Sequence, residues 1–353
     1  MAGAIMDIAT VAAGIEWQAR HAEEAGAPCT GRVVRAQLAV LDSDTATGRR
    51  MAGWQGKVVE DALPLRLAGG LHNLVLTGED RRLEPVYAGL VTDQSLVDAI
   101  VLEVVRKYDT RLLAWLDGPP QTNEAGRAWA FMSALKWLSG RLGPKFSMYE
   151  LGASAGVNTM MDRYYFDLGG AKEGLPSSPI RIVPEWRGAP PPEEPVEILS
   201  IRGCDQAPID LGDPAMALKL KSYVWPEAGQ RIARIDAATA LAADKPPQVA
   251  HQDAGPFVDE MLAEAPQRGV TRVLFHSIVW QYIPPETRAH IETAMATAGA
   301  EATPESPLAW ISLETNRETF RHELRVRYWP GGEEPRLLGC GHPHGAWAEW
   351  FAA

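Results

Sequence analysis

The sequence predicts an α/β protein, a doubly wound and mostly parallel sheet finished by an antiparallel hairpin, with an all-helical N-terminal domain before it. Three observations predict this. Up to about Gly143 the apolar residues recur only at helical spacing. Beyond Gly143, short β-branched runs alternate with helical stretches, the pattern of strand–helix–strand units. Near the C-terminus two alternating runs flank Pro330-Gly331-Gly332, which reads as a hairpin turn.

Taken in order, the start from Met1 to Ile15 is mildly apolar, is interrupted by Asp7 and lacks a basic leader, so it reads as a first helix and not as a signal peptide. Ile8, Val11, Ala12, Ile15 and Ala19 share one helical face, and Leu96, Ile100, Val104 and Leu112 another. Asn123 to Leu142 is a further helix that buries Ala128, Phe131, Leu135 and Leu138 and ends near Gly140 and Gly143. Strands follow at Phe146–Leu151 and Val196–Ile201, the latter running into Arg202-Gly203-Cys204-Asp205. Between them a helix is expected from about Val157, and Gly169–Pro195 is a loop-rich insertion with a short strand at Ile180–Val183. Pro214–Ala243 is helical with a break near Pro226. Gln248–His251 is a short strand reaching Asp253, with a helix through Leu262 after it. Arg272–Val279, a β-branched and largely apolar run, is the best candidate for a central strand. A helix through Arg288, Ile291 and Met295 comes next, then a strand at Leu308–Leu313 and the hairpin Glu323–Trp329 with Arg336–Cys340. The expected division is a helical cap domain at 1–143 and the sheet domain at 144–353.

The bulk numbers limit the function. A chain of 353 residues, 46% of them hydrophobic, is long enough for two domains with sizeable cores. A net charge of −11 disfavours a nucleic-acid partner, which needs a basic surface. No apolar run approaches the roughly 20 residues that span a bilayer. The three cysteines, Cys29, Cys204 and Cys340, are far apart and odd in number, which suits a reducing cytoplasm and neither a disulfide framework nor a metal motif. His342 and His344 stand two apart, but no acidic or thiolate cluster lies beside them in the sequence, so they read as a turn and no metal is expected.

The stretch that carries chemistry is Glu150-Leu151-Gly152-Ala153-Ser154-Ala155-Gly156. A strand, a turn of small residues and a helix start together cradle a nucleotide-like ligand. Glycines bring the backbone close, helix N–H groups are free, and a nearby carboxylate takes ribose hydroxyls. The same letters spell Gly-x-Ser-x-Gly, the nucleophile turn of serine hydrolases.

The order of these segments resembles the class I S-adenosylmethionine-dependent methyltransferases over roughly Phe146 to the C-terminus. Glu150, Gly152, Ser154 and Gly156 match that family's acidic glycine turn, with one glycine replaced by Ser154. Asp205, in Gly203-Cys204-Asp205, is similar to the acidic residue that holds the ribose at the end of the second strand, and Asp253-Ala254 to the pair beside the adenine. The run from Leu274 to Pro284 has the texture of the fourth-strand motif. The resemblance implies S-adenosylmethionine as cofactor, held by Glu150, Gly152, Ser154, Gly156, Asn158, Asp205, Asp253, Ala254 and Ser277. It implies methyl transfer to a small-molecule acceptor.

At a finer level the chain resembles a bacterial family known as domain of unknown function 2332. That likeness rests on Gln121–Arg127, Glu150–Gly156, Arg202–Asp205, Tyr223–Pro226 and His276–Tyr282, covers most of the length, and implies no established activity.

His276, at the end of the best strand, is either a packed histidine or, with Trp280 and Gln281, a base or positioning group beside the methyl. Glu124 and Arg127 are either a helix start, with Thr122 or Asn123 as its cap, or side chains that grip the acceptor. The Asn/Asp-Pro-Pro-Tyr tetrapeptide of amino-group DNA methyltransferases is absent, in keeping with the acidic charge. Two other classes stay open. A serine hydrolase would use Ser154, Asp253 or Glu314, and His342 or His344, but the helical first half leaves no earlier strands for that fold. A module that binds a nucleotide-like ligand without catalysis is the other.

Overall fold

Phe146, Met148, Leu151, Val273, Leu274 and Phe275 are wholly buried, as strands in the middle of a parallel sheet must be. The computed structural model describes Ile8 and Thr10–Ala352. The expected helix at the start therefore lies partly outside the described residues. Helices α1 to α8 are Val11–Glu24, Pro28–Arg35, Gln37–Leu41, Ala46–Ala52, Leu63–Leu76, Glu84–Tyr87, Gln94–Lys107 and Asp109–Leu113. Then come α9 (Ala128–Leu142), α10 (Pro214–Ser222), α11 (Gly229–Asp244), α12 (Ala254–Ala263) and α13 (Pro285–Ala300). Strands β1 to β6 are Lys145–Leu151, Tyr165–Leu168, Ala171–Glu173, Arg181–Ile182, Glu185–Arg187 and Glu197–Asp205. Strands β7 to β12 are Val249–His251, Thr271–Ser277, Leu308–Thr315, His322–Trp329, Gly332–Gly341 and Trp347–Trp350.

The chain divides into two compact units, and not at Gly143. One holds the residues up to Thr122 with Asp213–Ile235; the other holds Asn123–Gly212 with Asp236–Ala353. The helix expected to close the cap, α9, belongs with the sheet. It is buried on every side from Ala128 to Ser139, so it needs partners all round. Phe131 meets Phe275 of β8 with ring centroids 4.7 Å apart, and Trp137 meets Tyr328 of β10 at 5.7 Å. Gly143, at φ +92°, ends the helix.

The first unit is all-helical among its described residues. Thr10 caps α1 by accepting from Ala13 N at 3.2 Å, and Asp93 caps α7 by accepting from Leu96 N at 3.1 Å. Its core gathers Ile15, Val33, Val34, Leu67, Leu71 and Val101. The face of α7 differs from the expected one. Val97, Val101, Val104 and Val105 are buried, whereas Leu96 is 57% exposed. Both sets satisfy helical spacing, and packing selected the β-branched one.

The second unit is built on a nine-stranded sheet in the order β5-β12-β11-β10-β9-β8-β1-β6-β7. β7, β6, β1, β8 and β9 pair in parallel, and β9, β10, β11 and β12 pair antiparallel. Read by the chain order of the parallel strands, this is 3-2-1-4-5, a doubly wound Rossmann-like arrangement whose direction of winding reverses between β1 and β8. The expected hairpin is present as β10–β11, extended by β12 and then by β5 in parallel.

Two expectations near β1 need correction. No α-helix follows the glycine turn; Asn158–Arg163 is one short 3-10 helix, and the chain goes directly into β2. The Gly169–Pro195 insertion is less loop-like than its composition suggested. β3 and β4 pair with β2 in a small sheet of their own, and β5 joins the large sheet. Lys136 of α9 anchors this insertion, donating to Glu173 at 2.8 Å and to Glu194 O at 3.2 Å.

Candidate functional site

In a parallel α/β sheet the ligand crevice lies beyond the carboxyl ends of the strands at the point where winding reverses, here β1 and β8. β1 ends in Glu150-Leu151, and the chain then turns through Gly152, Ser154 and Gly156 at φ +65°, +52° and +68°. Ser154 is the one that carries a side chain in this left-handed region, which is uncommon outside glycine. The turn is tied to the end of β6. Asp205 Oδ2 accepts from Ser154 N at 2.8 Å, Asp205 Oδ1 accepts from Ala207 N at 2.8 Å, and Ile209 N donates to Ser154 O at 3.2 Å.

Glu150 is 1% exposed. Its Oε1 accepts from Asn158 Nδ2 at 3.1 Å, and among the described residues its Oε2 has no hydrogen-bond partner. Burial pushes its carboxyl up to about 8; the Asn158 donor and the Arg127 charge oppose that rise, and Asp205 adds to it. Asp205 is half-buried, and Asp253 is exposed at the first position before α12, where Gln206 Nε2 donates to it at 2.5 Å. Register places Glu150 beside Gly203 and Asp205 beside His251, so the three carboxylates stand at the ends of adjacent strands β1, β6 and β7. Ala254 begins α12 directly after Asp253.

The glycines serve packing as well as turning. A Cβ at Gly152 would lie 2.3 Å from Val279 Cγ2, and one at Gly156 would lie 2.6 Å from Pro247 Cβ. The notches beside these two glycines are filled by the protein's own side chains.

His276 belongs to the other face of the sheet. Phe275 faces α9, and residues paired across parallel strands share a face, so Glu150, opposite Phe275, faces α9 too. Leu151 and His276, opposite each other, point away from it. There His276, 2% exposed, holds Glu314 Oε1 at 2.7 Å through Nδ1. Glu314 shares that face because it lies two residues beyond Ser312, the partner of His276 on β9. The His276 ring stacks on Trp280 at 5.0 Å and 17°, and Trp310 lies 6.0 Å away. Among the described residues His276 Nε2 has no hydrogen-bond partner. Gln281 is exposed and accepts from Arg317 at 2.7 Å, away from the histidine's own bond.

The helix-start residues are committed to structure. Asn123 Oδ1 accepts from Val157 N at 2.7 Å, so it pins the glycine turn and does not cap a helix. Glu124 caps the short Ala125–Arg127 turn through Gly126 N at 3.2 Å, and lies 3.7 Å from His344 Nδ1. Arg127, 5% exposed, donates to Pro343 O at 2.9 Å and Ser277 O at 3.4 Å.

Ser154 does not meet, among the described residues, the acid and histidine that a serine hydrolase would need. Among the described residues Ser154 Oγ has no hydrogen-bond partner, Glu314 serves His276, and His342 and His344 form their own ring pair 5.4 Å apart. No group of three or more His, Cys, Asp or Glu among the described residues is arranged to hold a metal ion. No helix there is long and apolar enough to cross a membrane.

Sequence reasoning missed the pairing of Glu314 with His276 and the place of His322. His322 is a β10 residue bonded to Thr315 at 3.0 Å, and its imidazole is pushed down to about 4, by burial first and then by Arg127 and His342. The signal for Glu314 was available, since its strand ends in a carboxylate as β1 and β6 do.

A family model described as an uncharacterized protein conserved in bacteria (DUF2332) matches residues 12–350. No curated protein and no solved structure matches.

Proposed function

The chain belongs to this uncharacterized bacterial family, and from its own residues we propose that it is an S-adenosylmethionine-dependent methyltransferase acting on a small or medium-sized acceptor that is not nucleic acid. The observation that carries the reading is the placement of Glu150, Asp205 and Asp253 at the ends of three adjacent parallel strands beside the winding reversal. An adenosine-bearing ligand needs acceptors spread along such a rim.

The residues fit the cofactor at its amino-acid end and its ribose. Glu150 Oε2 has no partner among the described residues; the carboxyl holds its proton in this structure, and an ammonium group beside it would favour the ionised form and pair with it. Each Asp205 oxygen takes one backbone N–H and keeps a second lone pair for a ribose hydroxyl. Asp253 is exposed and reachable for the adenine edge. When bound, the cofactor supplies a methyl group already activated by its sulfonium charge, so the protein's task is positioning and proton removal. His276, bonded to Glu314 through Nδ1, lies on the opposite face of the sheet from Glu150 and under Trp280, so it would take the acceptor's proton at Nε2 only once that cover has moved.

The test is thermal denaturation with S-adenosylmethionine or its demethylated product. A melting temperature that rises with ligand is expected, corresponding to about 2.7 kcal/mol at a hundredfold excess over Kd. Asp205→Ala should abolish the rise. Wild-type curves that do not move at millimolar ligand would remove the proposal. Transfer of labelled methyl from the cofactor to a cell extract then separates a transferase from a module that only binds.

A further inference from the structure

Ile278 is a β-branched residue at φ +51°, a conformation that its side chain disfavours strongly. It opens the segment Ile278–Tyr282, which runs from the end of β8 across the reversal point. Five contacts define what this segment does. Val279 fills the notch at Gly152. Trp280 lies flat on the imidazole of His276. Ile278 N donates to Leu313 O at 3.0 Å. Glu314 Oε1 accepts from Val279 N at 3.2 Å and from Trp280 N at 3.3 Å, and it is the same oxygen that receives His276 Nδ1. The outer side of the segment is loose by comparison, since its 3-10 turn buries no residue and Tyr282 is 65% exposed.

We infer that Glu314 is a positioning residue with two linked duties: it fixes His276 with the proton on Nδ1 and the lone pair on Nε2, and it latches the Ile278–Tyr282 strap over both the imidazole and the glycine turn. One carboxylate oxygen carries all three bonds, so releasing the strap and uncovering the base are a single event. The strain at Ile278 favours release, and the two strap amides bonded to Glu314 oppose it. Opening empties the Gly152 notch and brings Nε2 into contact with whatever enters. On the methyl-transfer reading Nε2 would then take the proton of the acceptor's nucleophilic atom, whose electron pair would go to the methyl carbon as the carbon–sulfur pair returns to sulfur, and the imidazolium charge would be met by Glu314. The latch stands on its own geometry; only the identity of the proton donor rests on the methyl-transfer reading.

The experiment uses the full chain and needs no substrate. Nitrogen-detected NMR of 15N-histidine protein reads the His276 tautomer, and hydrogen exchange reads the Val279 and Trp280 amides. Wild type should show the neutral imidazole of His276 in the tautomer with its proton on Nδ1. Glu314→Leu should give a tautomer mixture and speed exchange at both amides by about tenfold or more, with exchange elsewhere on β9 unchanged. An unaltered tautomer or unaltered amide exchange would overturn the assignment. Should that variant fail to fold, Ile278→Gly reports instead. It relieves the strain, so exchange at the same amides should slow, and unchanged or faster exchange would overturn it equally. Adding S-adenosylhomocysteine to wild type should speed exchange across the strap. If the ligand binds and the strap stays protected, the latch is not a gate. If it does not bind at all, the methyl-donor reading fails while the tautomer and amide results still judge Glu314.

Discussion

Glu150→Gln isolates one buried carboxyl and turns its environment into a measurable slope. The side chain is 1% exposed and held up to about 8, first by burial and secondarily by the Asp205 charge, against the Asn158 donor and Arg127. The folded protein therefore keeps this proton to about pH 8, whereas the unfolded chain releases it near the ordinary value of 4.5. Between those limits the native state binds the extra proton, so stability is fully present below about 4.5 and falls as pH rises towards 8. Each pH unit in the window removes about 1.4 kcal/mol, and roughly three and a half units give a ceiling of roughly 5 kcal/mol. That is a large share of the roughly 5–15 kcal/mol that holds a typical domain together. Glutamine has the same shape, accepts the Asn158 N–H and does not titrate. Urea denaturation of both proteins from pH 4.5 to 9 should give nearly equal stabilities at the acid end and a widening advantage for the variant above it. Other titrating groups cancel in the difference. A gap between the two proteins that stays constant across this range would refute the reasoning.

Gly152→Ala should destabilise the protein by about 1–2 kcal/mol from its left-handed backbone alone, with a further cost from the clash with Val279. Val279→Ala in the same chain should recover the clash but not the backbone cost, and strictly additive denaturation energies would show that the two residues do not touch. His322 has its imidazole pushed down to about 4, so it contributes stability that is present above about 6.5 and is lost as pH falls towards 4. His322→Gln should flatten the acid limb of the melting-temperature profile, and an unchanged limb would mean that the histidine titrates normally in the folded state.

Much of the sheet was legible because its signals are local. The runs around Met148 and Phe275 are mostly apolar, as strands covered on both faces tend to be, and their ends were placed within a residue or two, whereas the second strand runs four residues past its expected end at Ile201 to Asp205. The expected helix after Gly156 was not there, because a glycine turn followed by Asn158 and Thr159 fits a 3-10 turn as well as a helix start. The role of Asn123 was hidden for a different reason: its partner, Val157, is distant in the chain, and a capping pattern is a local signal.

By itself the sequence determined that a helical region precedes a doubly wound sheet, that acidic residues end the strands, and that a small-residue turn follows β1. These depend on period, β-branching and turn chemistry, which act over a few residues. Tertiary structure alone decided which face each residue uses and what surrounds it. Strand side chains alternate, so one step along β8 separates Phe275, on the side of Glu150, from His276, on the side of Glu314. Burial then made Glu150 a carboxyl that holds its proton, and packing of Val279 into the Gly152 notch closed the turn that the sequence left open. Such effects arise from neighbours supplied by other strands, and no local pattern encodes them.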